Sequence, residues 1–178
     1  MLSDLIDRKK VRRALAWALY MLAVLLVQNM IFSRITVLGV RAMFLPAAVA
    51  ACGMFEGGTA GAVFGLFMGF FADMSFPENT VLFTALFALL GFFAGFAADF
   101  FLNRKFWPYM AASLVALLVT ALFQMLGPVI FSGAAAGPLL KTAGLQVLWS
   151  LPVSALIYPM ARSMSLRLDG VSERKDRA

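Results

Sequence analysis

Gly57-Gly58-Thr59-Ala60-Gly61-Ala62-Val63-Phe64-Gly65-Leu66-Phe67-Met68-Gly69-Phe70-Phe71-Ala72-Asp73 is the stretch that decides how this chain folds. Gly57, Gly61, Gly65 and Gly69 recur at every fourth residue, and Asp73 continues the series. Four residues advance a helix by about 400°, so these positions form a nearly straight stripe down one face. In water the glycines would weaken the helix by roughly 1 kcal/mol each against alanine. In a bilayer the same residues are useful. Lipid supplies no hydrophobic drive between helices, so close backbone approach must supply the packing. The next apolar segment repeats the device with Gly91, Gly95 and Asp99. Such stripes serve either packing between neighbouring helices of one chain or docking of a partner's transmembrane helix.

Composition agrees with a membrane setting. The chain has 178 residues, of which 62% are hydrophobic and only 13% charged, with a mean hydropathy of +0.89. Soluble domains run near half apolar and a quarter charged, so this chain has too few charges to cover a water-facing surface. The apolar excess excludes a disordered chain. The single cysteine excludes a disulfide scaffold. The absence of histidine removes the commonest general base and zinc ligand.

A bilayer core about 30 Å thick needs roughly 20 mostly apolar residues per helical span. Six spans are expected: 14–33, 41–56 (starting as early as Thr36), 59–73, 80–102, 107–131 and 143–161. The second and third are shorter than a full crossing, so five helices with a re-entrant segment is the alternative. The basic run Arg8, Lys9, Lys10, Arg12 and Arg13 precedes an apolar stretch longer than a signal-peptide core, with no small-residue cleavage site. It reads as the lead into an uncleaved first span. With both termini cytoplasmic, every Lys and Arg except Arg34, Arg41 and Lys141 lies inside, as the positive-inside rule requires. The net charge of +6 then reflects topology and attraction to anionic membrane lipid, and no nucleic-acid partner is needed. The division is a basic tail over 1–13, one six-helix domain over 14–161 and a second basic tail over 162–178. Ser132–Thr142 is the longest connection.

The remaining polar residues set further expectations. Asp73 ends the third span, at a helix C-terminus where the macrodipole disfavours an anion. It is either solvated, bonded to amides of the turn Met74–Asn79, or an anchor for a partner or the loop. Asn79 or Thr80 is expected to cap the fourth span. Asp99 is expected to pair locally with Arg104 and Lys105, and Glu56 to be solvated in a short turn. Gln28, Asn29, Gln124, Gln146, Ser150 and Ser154 are expected to bond across helices, or to line a polar cavity. Cys52 reads as a small packing residue. Pro128, Pro152 and Pro159 are expected to end, bend or interrupt their helices, while Pro108 fits a first turn. Trp17, Tyr20, Trp107, Tyr109 and Tyr158 are expected in interfacial aromatic belts. Asp73 and Asp99 fall toward opposite faces and cannot share a site, so no acid–base or metal constellation is apparent. The chain is expected not to be an enzyme and to carry no cofactor or metal.

Phe55-Glu56-Gly57, the glycine series through Gly61, Gly65 and Gly69 to Asp73, a short turn, and then Gly91-x3-Gly95 resemble the MreD family of rod shape-determining proteins. The flanks agree: Gln28 and Arg34 at the exit of the first span, Leu38-Gly39-Val40-Arg41 after it, and a proline-bearing last span with a basic tail. One position departs. The family often has Pro-Asp where this chain has Ala42-Met43, so no role of that aspartate carries over. The resemblance implies an all-α integral membrane protein of the bacterial cytoplasmic membrane, similar in fold to the substrate-binding subunits of energy-coupling-factor transporters. It implies a non-enzymatic scaffold of the cell-elongation complex. Such a scaffold docks MreC, links the MreB cytoskeleton to peptidoglycan synthesis, and associates with RodA and its transpeptidase partner. Gly57, Gly61, Gly65, Gly69, Asp73, Gly91 and Gly95 are the expected partner interface. A substrate-capture subunit of a vitamin transporter is the alternative. Ala14 and Ala18, or Ala47 and Ala51, would then dock an energising subunit, with Gln124 or Gln146 lining a pocket.

Overall fold

The computed structural model describes residues 2–32, 36–37, 40–75, 83–100, 105–133 and 135–176. Helix α1 (Leu2–Val27) closes in a π-helical turn, Gln28–Phe32. Strands β1 (Thr36–Val37) and β2 (Val40–Arg41) pair antiparallel, Thr36 opposite Arg41 and Val37 opposite Val40. Then follow α2 (Leu45–Glu56), α3 (Gly58–Ser75), α4 (Phe83–Phe100), α5 (Phe106–Ser132) and α6 (Ala136–Asp176).

Among the described residues, five helices are long and apolar enough to cross a membrane: α1, α3, α4, α5 and α6. The fold is thus an all-α, multi-pass membrane protein. Its surface explains the composition. Phe67, Phe70, Phe92, Phe93 and Phe96 of α3 and α4 are exposed, while Gly61, Gly65, Gly69, Gly91 and Gly95 of the same helices are buried. That inside-out arrangement would aggregate in water and suits lipid.

Helix α2 is different. Its 12 residues span about 18 Å, well short of the bilayer core. The expected start at Thr36 is replaced by the β hairpin. Every residue from Leu45 to Phe55 is buried, so α2 is the central post around which the longer helices stand. Directions alternate along the chain. Arg13 near the start of α1 meets Glu56 at the end of α2, while Gln28 meets Phe44 at its beginning. Gly57, between α2 and α3, has φ 93°, a conformation that glycine adopts without a Cβ penalty. The chain reverses there, bringing Gly61 against Gly53.

Several expectations change at the ends. Helix α1 already covers Leu2–Arg13 and α6 continues to Asp176, so both basic tails are helical over the described residues. The connection expected over Ser132–Thr142 shrinks to 133–135, with Gly133 left-handed at φ 59° as the cap of α5. Helix α6, 41 residues long, measures about 60 Å, twice the bilayer core. Pro128, Pro152 and Pro159 all lie inside continuous helices. In a bilayer, neighbouring helices and side chains can re-satisfy the backbone groups a proline frees. Asn79, Thr80 and Arg104 lie outside the described residues.

Candidate functional site

The glycine stripes meet each other. Helices α3 and α4 run antiparallel, and a Cβ placed on Gly61 would come within 3.0 Å of the Gly91 backbone. The same holds for Gly65 against Phe87 and Ala88, Gly69 against Phe83 and Thr84, and Gly95 against Gly57 and Gly58. Of the two readings of the stripes, this is packing between helices of one chain: Gly61, Gly65, Gly69, Gly91 and Gly95 are covered by the chain itself. Gly57 serves the reversal. Gly53 was missed in the sequence, yet it packs on Gly91 and Gly95. Its signal was there, since Gly53 is one further four-residue step back from Gly57.

Asp73 acts within the same seam. Its carboxylate accepts the N–H groups of Phe83 (2.8 Å) and Thr84 (3.0 Å) and the Thr84 hydroxyl (2.5 Å). It thus caps the N-terminus of α4 from the end of α3. The unfavourable macrodipole of α3 is outweighed by the favourable one of α4. Asp73 is a cap within this chain. Asp73→Ala is expected to lower stability by about 1–2 kcal/mol, the usual range for a lost cap. Asp73→Asn, which keeps one acceptor, should lose less. Denaturant unfolding in mild detergent measures both.

A second polar set surrounds the start of α2. Gln28 donates to the Ala42 carbonyl (2.8 Å) and accepts from the Phe44 N–H (3.2 Å). Ser150 accepts from the Met43 N–H (3.0 Å) and donates to Gln146 of its own helix (2.7 Å). Gln124 reaches the Met43 sulfur (2.8 Å). Non-helical backbone survives at membrane depth only where protein supplies its partners. Gln28 and Ser150 supply them, as the expected bonding across helices requires. Ser154 instead donates to Leu151 of its own helix.

Of the five Trp and Tyr residues expected in belts, four are core. Trp17, Tyr20, Tyr109 and Tyr158 are buried, and the fifth, Trp107, is on the surface at 80% exposure. Tyr109 donates to the Ser154 carbonyl (3.0 Å). Tyr20 stacks on Phe64, with Trp17 edge-on to both. Buried Cys52 is a packing residue as expected.

Charge gathers at one end of the bundle. Glu56, expected in solvent, has a side chain only 9% exposed and is paired with Arg13 at 2.5 Å. Asp99 lies beside Gly57, and Arg162 sits over the Tyr158 ring. From this end a groove of about 740 Å³ runs between α1 and α3, lined by Arg13, Ala14, Trp17, Ala18, Glu56 and Phe64 among others. Ala47 and Ala51 are fully buried, so they offer no surface to an energising subunit; Ala14 and Ala18 are exposed. Comparison of the chain with protein-family models, with curated proteins and with solved structures finds no match in any of the three.

Proposed function

We propose that this chain is a non-enzymatic scaffold of the bacterial cell-elongation machinery, of the MreD kind. In this reading it docks MreC, and links MreB to peptidoglycan synthesis by RodA and its transpeptidase partner. The observation that carries the reading is that the residues bearing the resemblance, Phe55 to Gly95, work as one unit. Gly53, Gly57, Gly61, Gly65, Gly91 and Gly95 close a three-helix seam around α2, and Asp73 locks its far end. A motif whose residues all act in one interface is more specific than general apolar similarity. With the seam closed internally, partner contacts fall on other surfaces of the bundle.

Both termini are proposed to be cytoplasmic, with α2 and its extended lead counted as a sixth crossing. The alternating helix directions and the charged end formed by Arg13, Glu56, Asp99 and Arg162 support this, since cations concentrate on the cytoplasmic side. The proposed fold relatives are the substrate-binding subunits of energy-coupling-factor transporters.

The test is a pull-down of the full chain from native membranes in gentle detergent, with mass-spectrometric identification of what accompanies it. MreC, RodA and MreB are the expected companions. Recovery of a transport ATPase pair with its membrane coupling subunit would overturn the scaffold reading in favour of vitamin capture.

A further inference from the structure

The groove between α1 and α3 combines an apolar trough with a charged end that is not fully satisfied. Its walls include Ala14, Trp17 and Ala18 from α1, and Ala60, Val63 and Phe64 from α3. At its end Glu56 accepts from Arg13 through one carboxylate oxygen, while the other, Oε1, is buried with no partner among the described residues. Unsatisfied polar groups in a membrane protein are costly. The Glu56 oxygen, on the lining of this groove, points to a ligand that supplies a donor.

The dimensions select the kind of ligand. A helix about 10 Å across would exhaust 740 Å³ within about 9 Å, under two turns. A hydrocarbon chain one methylene wide can follow the trough for its full length. The volume also falls inside the roughly 300–1,000 Å³ typical of small-ligand sites.

The charged end selects the head group. The Arg13 guanidinium has five N–H donors in a fork that suits phosphate. Its side chain is 39% exposed, so it can hold Glu56 and still meet a phosphate from outside. A carboxylate offers about four acceptor positions, and its terminal torsion is broad, so Glu56 can turn Oε1 toward an arriving donor. We propose that this groove binds one ethanolamine phospholipid, with its acyl chain along α1 and α3, its phosphate on Arg13 and its primary ammonium on Glu56. A choline head has no N–H to donate, and a glycerol head carries no cation. In the proposed topology the lipid belongs to the cytoplasmic leaflet; the binding itself does not depend on the scaffold reading.

The test uses the full chain, purified in mild detergent and mixed with equal amounts of ethanolamine, choline and glycerol phospholipids of matched acyl chains. Native mass spectrometry counts what stays bound, and thermal melting checks each variant's fold. One ethanolamine lipid per chain is expected. Glu56→Gln should weaken its retention about tenfold, as loss of a charge-assisted hydrogen bond does, and should erase the head-group preference. Ala18→Trp, at an exposed position on the wall, should fill the trough and reduce retention of the lipid with melting unchanged. If Glu56→Gln fails to fold, Ala18→Trp decides. Equal retention of the three lipids by the unaltered chain overturns the proposal. So does retention of the ethanolamine lipid by folded Ala18→Trp at the unaltered level. A photo-cross-linker at position 18 that captures a protein chain, with no lipid retained, assigns the groove to a partner helix and also overturns it.

Discussion

Gly65→Leu is expected to prevent α3 from closing on α4 and to leave little folded protein in detergent. At this position a bare Cβ would fall within 3.0 Å of the carbonyl carbon and oxygen of Phe87 and of the Ala88 nitrogen. These are backbone atoms of a helix and cannot step aside as a side-chain end can. Overpacking of a tight core costs about 1–3 kcal/mol and sometimes more. Here three further carbons follow the Cβ, so a loss beyond the upper end of that range is expected. Gly61→Leu should behave alike, because Gly61 meets both Gly91 and Gly53. Gly144→Ala is the control. It lies in α6 with no atom of the described residues within 4 Å of its Cβ position, and replacing a helical glycine there should stabilise by roughly 0.5–1 kcal/mol. Size-exclusion profiles and melting temperatures separate these outcomes. A monodisperse, normally melting Gly65→Leu protein would show that α3 and α4 do not pack as described. It also follows that loss of partner binding in a glycine-to-leucine variant would report misfolding rather than a missing docking face.

Gln28→Leu is the second large effect expected. The amide of Gln28 bridges Ala42 and Phe44, donating to one and accepting from the other. Leucine keeps the bulk and removes both functions. The Ala42 carbonyl loses this donor and the Phe44 N–H loses this acceptor, in a region where Ala42, Met43 and Phe44 are at most 4% exposed. Each of the two lost bonds to a buried group costs about 1–3 kcal/mol, so a loss of about 2–6 kcal/mol is expected. Gln28→Glu tests the mechanism: its carboxylate still accepts from Phe44 but cannot, when ionised, donate to Ala42. It should lie between the unaltered chain and Gln28→Leu, or below both if the charge stays ionised in the core. Denaturant unfolding followed by tryptophan fluorescence measures the series. An unchanged midpoint for Gln28→Leu would mean that other groups satisfy the start of α2.

How much of this was legible in the residues depends on the range of the interaction. The glycine period and the flanking aspartates were visible because a helix repeats locally. The polar residues Gln28 and Ser150 could be singled out because a polar side chain in an apolar run requires a partner. Which partner was not visible. Glu56 looked solvated, since nothing near it in the chain is basic; its cation, Arg13, is 43 residues away. Trp17, Tyr20, Tyr109 and Tyr158 looked like interfacial belt residues because amphipathic rings are common there. They are buried instead, because α1, α5 and α6 turn those faces inward. Asp73 looked misplaced at the end of α3, and only the return of α4 beside it made it a cap.

The sequence by itself determined that this protein lives in a membrane and is helical. Too few charges exist to cover a water-facing surface, and backbone polar groups in lipid must be satisfied within each segment. It also determined that two helix faces would approach something at backbone distance. The tertiary structure decided what that something is: each other, around a short buried helix, with a groove left open beside α1. The reason is physical. Between helices in lipid there is no hydrophobic drive to single out a neighbour. Pairing is set by shape and hydrogen bonding between two surfaces, and neither surface alone states which other one it fits.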